Sequence, residues 1–157
     1  MATFKTSDGR EWTIAVNVAT VKRTRELAGV NLLSLVGEQA AISELFADDV
    51  RLCEVLCAVI RPQLEAAGIS DDQFFSAING DVIERAAEAL LNEIVDFFQE
   101  PRRGLMKKAL AKYKLAIATI QAANAKAAEK AIEEMDAEAA IAQTLTSYVS
   151  SSPEALA

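Results

Sequence analysis

The stretch "CAVIRPQLEAAGISDDQFFSAING", Cys57 to Gly80, decides the fold: it holds the best helix-start signal of the chain and a proline where a helix ought to continue. Ser70 and Gln73 have capping-box spacing, Asp71 and Asp72 fall in the first turn where the helix dipole favours acids, and Ile69 can staple to Phe74. A helix is therefore predicted from Asp71. Upstream, Asp48 opens another helix through "DVRLCEVLCAVIRPQLEAAG". Pro62 lacks a backbone donor and crowds the preceding turn, which predicts a kink or break near residues 58–61. Downstream, Asn79-Gly80 is predicted to end one helix and Asp81 with Glu84 to start the next. That next helix, "DVIERAAEALLNEIVDFFQ", keeps Ile83, Ala87, Leu90, Ile94 and Phe97 on one stripe, widened by Leu91 and Phe98, as a core helix does.

Toward the N-terminus, "TFKTSDGREWTIAVN", Thr3 to Asn17, reads as two short strands around a turn. A two-residue Asp8-Gly9 loop would put Phe4 and Trp12 on opposite sides of the ribbon. A three-residue loop, Ser7-Asp8-Gly9 with Gly9 left-handed, sets Phe4 across from Trp12 and lines both up with Ile14 and Val16. The second register is expected, and so small a ribbon must lay its apolar face on helices or on another copy of the chain. Its open edges are places where a neighbour can add. Asn17 can cap a helix running to about Ala28, closed by Gly29. "VNLLSLVG" is a short apolar element, and residues 37–47 read as an irregular or briefly helical connection.

Toward the C-terminus, Pro101 suits a first helical position, and neither proline nor glycine occurs from Leu105 to Thr146. Leu110, Tyr113, Ile117, Ile120, Asn124, Ala127 and Ala131 recur in steps of three and four. If continuous, this helix makes a rod of roughly 60 Å, which must project or fold back. Large side chains thin out after Ile120, and "SYVSSSPEALA" reads as a frayed tail. The expected architecture is mainly α: a hairpin on a bundle of four to five helices over residues 1–100, then a long Ala-rich helix or arm over residues 101–157.

The 157 residues suffice for one core, although much of the 52% hydrophobic fraction is alanine in the last third. A net charge of −7 gives no electrostatic reason to bind nucleic acid or anionic lipid, and no apolar run approaches a membrane span. The chain reads as cytoplasmic, with Cys53 and Cys57 as buried, reduced thiols rather than metal ligands. With no histidine, no glycine-rich phosphate loop and no nucleophile elbow, neither catalysis nor a cofactor or metal is expected. The carboxylate pairs Asp71/Asp72 and Glu133/Glu134 have ordinary roles at a helix start and on a solvated face. The basic cluster Arg102, Arg103, Lys107, Lys108, Lys112 and Lys114 follows the acidic series Glu84, Glu88, Glu93, Asp96 and Glu100, so intramolecular pairing is expected. The apolar seam of the last helix can be core, a self-association face or a groove-filling helix for another protein.

At "DGREWTIAVNVATVKRTRELAGVNLL" and "RPQLEAAGISDDQFFSAINGDVIERAAEALLNEIVDFF" the chain resembles the tail assembly chaperones of tailed bacteriophages and prophages. Trp12, Arg61-Pro62-Gln63, Ser70-Asp71, Gly80-Asp81 and Asp96-Phe97-Phe98 carry the resemblance, which spans about Thr3 to Leu115. It implies a protein of the host cytoplasm that binds the tape-measure protein, helps tail-tube protein polymerise around it, and self-associates. The alternative is a structural tail or connector subunit retained in the virion. Contacts are expected on Phe4, Trp12 and Ile14 of the hairpin and on Leu110, Tyr113, Ile117 and Ile120 of the long helix.

Overall fold

Strands β1 (Ala2–Lys5) and β2 (Glu11–Ile14) pair antiparallel with Phe4 opposite Trp12 in the computed structural model, which describes residues 1–36, 39–135 and 137–151. This is the three-residue-loop register. Gly9 has φ 84°, Thr6 N–H donates to Arg10 O at 3.0 Å, and Gly9 N–H donates to Thr6 O at 3.0 Å. The helices that follow are α1 (Val18–Ala28), α2 (Leu32–Leu35), α3 (Gln39–Ala47), α4 (Asp49–Ala67), α5 (Asp71–Ser76) and α6 (Gly80–Asp96). Beyond them lie α7 (Arg102–Glu134) and α8 (Ala137–Ser151). The chain divides into two compact units, Met1–Ala109 and Leu110–Ala157.

Local chemistry starts α1, α2, α4, α5 and α6. Asn17, Asn31, Asp48, Ser70 and Asn79 each accept a backbone N–H of the first turn with the side chain, and Ser70 and Gln73 close a full capping box. Gly29 and Gly68 take the left-handed conformation that ends α1 and α4. Residues 39–47 form a short helix, the second of the two readings expected for residues 37–47, of which 37 and 38 lie outside the described residues. One expectation is corrected here. The cap of α6 is Asn79, extended at φ −123°, whose side chain accepts from Val82 N–H; Gly80 is already helical and Asp81 lies in the first turn. The buried stripe of α6 accordingly runs through Val82, Ala86, Leu90 and Ile94, while Ile83, Phe97 and Phe98 are half-buried.

The core forms where the hairpin meets α4, α5 and α6. Phe74 of α5 is fully buried and receives both hairpin aromatics edge-on, Trp12 at 5.8 Å and 89°, Phe4 at 6.5 Å and 72°. Such contacts add about 0.5–1.5 kcal/mol each beyond the area they bury. Ile14, Leu52, Leu56, Ile60, Leu64, Leu90 and Ile94 complete the packing.

Helix α4 runs unbroken through Pro62, and a side chain of α1 explains how. Pro62 cannot donate to the carbonyl of Ala58, four residues back. Arg23 supplies that missing donor: its Nε donates to Ala58 O at 2.7 Å and its Nη2 to Val59 O at 2.7 Å. The residues flanking the proline each make a further tie. Arg61 forks onto Asp71 at 2.6 and 3.1 Å, fixing the start of α5. Gln63 grips the outer edge of β2 with its amide, accepting from Thr13 N–H at 3.0 Å and donating to Thr13 O at 2.7 Å.

Replacing Arg23 with alanine is expected to cost about 1.5–3 kcal/mol, the worth of a charged hydrogen bond to an otherwise unpaired buried carbonyl. In a Pro62→Ala background the cost should shrink, because a backbone N–H at position 62 again reaches Ala58 O. A double-mutant cycle by chemical denaturation reads the coupling, and additive losses would refute the substitution of one donor for the other.

Candidate interaction surface

The apolar face of the hairpin is buried within the chain. Phe4, Trp12 and Ile14 are 3%, 4% and 0% exposed, so the apolar face expected to meet partners is spent on the chain's own helices. The outer edge of β2 is likewise occupied at Thr13 by the Gln63 amide. Even the polar end of Trp12 is engaged: Nε1–H donates to Thr6 Oγ1 at 3.1 Å, and the Thr6 hydroxyl donates to Asp8 Oδ1 at 2.6 Å. That hydrogen bond, above all, holds the Asp8 carboxyl below its ordinary range.

Residues proposed on the last helix divide. Leu110 is buried, Tyr113 and Ile117 are half-buried, and Ile120 is 60% exposed. The long C-terminal helix expected is present as α7; it stops at Glu134, where Met135 N–H closes a tighter turn on Ile132 O at 3.2 Å, and α8 begins at Ala137. Periodicity alone missed a second row of apolar residues. Leu115 and Ile132 on α7, and Ile141 and Leu145 on α8, are about as exposed as Ile120. The signal that marks Leu115 and Ile132 is another alternation of fours and threes, Ala111, Leu115, Ala118, Ala122, Ala125, Glu129 and Ile132. Alanines dilute it, so a search for large side chains passes over it.

The charged residues at the α6–α7 corner are paired within the first unit. Lys107 Nζ lies 2.9 Å from Asp96, Arg103 Nε donates to Glu100 at 3.1 Å, and the Arg102 guanidinium sits 4.5 Å above the Phe98 ring. Glu100 also accepts from Gly104 N–H at 3.1 Å, capping α7; these bonds, the Arg103 contact foremost, lower its carboxyl. Asp71 is lowered by the hydrogen bonds from Arg61. Among the described residues no three His, Cys, Asp or Glu side chains gather as a metal would require. No helix is long and apolar enough to cross a membrane, again among the described residues. Compared with known protein families, curated proteins and solved structures, the chain has no match.

Cys53 and Cys57 are free and buried on α4. Burial raises both thiols, Cys57 to about 12. The neutral thiol's contribution to stability is therefore complete below the ordinary thiol pKa and is lost as pH rises from there to the raised value, about 12 for Cys57. Native protein at neutral pH should leave both thiols unmodified by an aromatic disulfide reagent while denatured protein reacts at both; fast modification of the native chain would contradict the burial.

Proposed function

We propose that the chain is a tail assembly chaperone of a tailed bacteriophage or prophage. In this reading it acts in the host cytoplasm, binds the tape-measure protein, assists tail-tube assembly through protein–protein contacts and self-associates. No cofactor, nucleic acid or catalytic step enters the reading.

The observation that carries it is the exposed apolar surface of α7, with Ile120, Leu115 and Ile132 each at least 60% exposed on a helix rich in alanine. A helical client such as a tape-measure protein offers a repeated apolar stripe, which a helix of this kind meets by side-by-side packing. The sequence resemblance adds a second support. Trp12, Arg61-Pro62-Gln63 and Ser70-Asp71, which carry it, hold the first unit together. A carboxylate tied to arginine and two buried thiols with raised pKa suit an interaction protein better than an enzyme.

Copurification from infected or induced cells tests the proposal: the chain should come down with the tape-measure protein and be absent from washed virions. Recovery in washed particles would favour the structural-subunit alternative. The double variant Ile117→Asp/Ile120→Asp should lose the tape-measure protein from the pull-down at unchanged helical circular dichroism. Collapse of the helical signal would instead make these two residues core.

A further inference from the structure

We infer that α7 pairs antiparallel with α7 of a second copy through the Leu115–Ile132 row, a face separate from the Tyr113–Ile117–Ile120 seam. Leu115 is 69% exposed and Ile132 66%, and Ala118, Ala122, Ala125 and Glu129 between them are exposed as well. Alanine in the middle of such a row lets two helices approach to about 8 Å. The larger side chains at its two ends then close the interface. An antiparallel partner places Leu115 of one copy against Ile132 of the other, twice by symmetry, with Ala122 against Ala125 at the centre.

Charge selects both the occupant and its direction. Helix α7 has no acid in its first turn and no base in its last, the reverse of what a helix dipole favours. Glu129, Glu133 and Glu134 stand near the negative end, and the cation paired with Glu134 there is Lys130, 3.9 Å away on the same exposed surface. In the antiparallel register Lys112, exposed on the flank of the row, arrives beside Glu133 of the second copy, again twice by symmetry. A parallel two-fold pairing would set the two Lys112 side chains on opposite flanks, at the far end of the helix from Glu133, and so bring no cation to the acidic end. A second copy of this chain thus brings a further cation to the acidic end and a large apolar side chain to cover each exposed end of the row.

This deepens the self-association in the proposed function, and its test uses purified full-length chain without a client, so that failure here leaves tape-measure binding to the pull-down. Light scattering should give twice the monomer mass for the wild type, the monomer mass for Lys112→Glu, and the dimer mass again for Lys112→Glu/Glu133→Lys. Oxidation should cross-link Leu115→Cys/Ile132→Cys into a reducible dimer and leave Leu115→Cys alone uncross-linked; Cys53 and Cys57, being buried, do not interfere. A wild-type monomer at every concentration, a charge swap that fails to restore the dimer, or efficient cross-linking of Leu115→Cys alone would each overturn the inference. Circular dichroism of every variant separates loss of pairing from loss of fold.

Discussion

The guanidinium of Arg23 on the carbonyls of Ala58 and Val59 is the contact on which the first unit depends. A proline inside a helix costs about 3 kcal/mol when its effects go uncompensated. Here the open carbonyl becomes the docking point for α1, so a local defect in α4 is turned into a tertiary tie. The residues on either side of Pro62 fan out around the helix at about 100° each, so the three successive positions address three different elements. Arg61 takes the start of α5, the gap at Pro62 takes α1, and Gln63 takes β2. Each tie depends on the helix staying continuous through the proline.

With those elements positioned, Phe74 explains why a helical protein begins with a hairpin. Helix α5 has only six residues and cannot bury a phenylalanine by itself. Phe4 and Trp12 cover it from above, and the ribbon gains the support that two isolated strands lack. The turn is fastened too: Ser7 N–H and its hydroxyl both donate to Ala77 O, at 2.9 and 2.8 Å, where α5 ends. Hairpin and short helix are each marginal alone and stable together.

Much of this was legible in the residues. The hairpin register followed from asking which loop puts Phe4 and Trp12 on one face, and the caps at Asn17, Asp48 and Ser70 followed from short polar side chains ahead of apolar periodicity. What stayed hidden was non-local. Nothing near Pro62 announces an arginine 39 positions earlier in the chain, and so a kink or break was the natural expectation. Asn79 was misread as a helix end because Asn-Gly signals a turn as readily as a cap, and Gly80 needed no positive φ. The hairpin residues were assigned to partners because sequence cannot say whether an apolar ribbon is covered by its own chain or by another. On α7 the strong seam was read and the alanine-diluted one was not.

The two units use apolar side chains in opposite ways, and helix propensity is the reason. In the first unit the helices are short and need burial to persist, so their leucines, isoleucines and valines are mostly committed to the core. Helix α7 is built largely of alanine, lysine and glutamate, which hold helical conformation at little or no cost in side-chain entropy. It does not need Leu115, Ile120 or Ile132 in order to be a helix. Those side chains, more than half exposed, are surplus to folding, and exposed apolar surface of that kind is stabilised by covering it with another polypeptide.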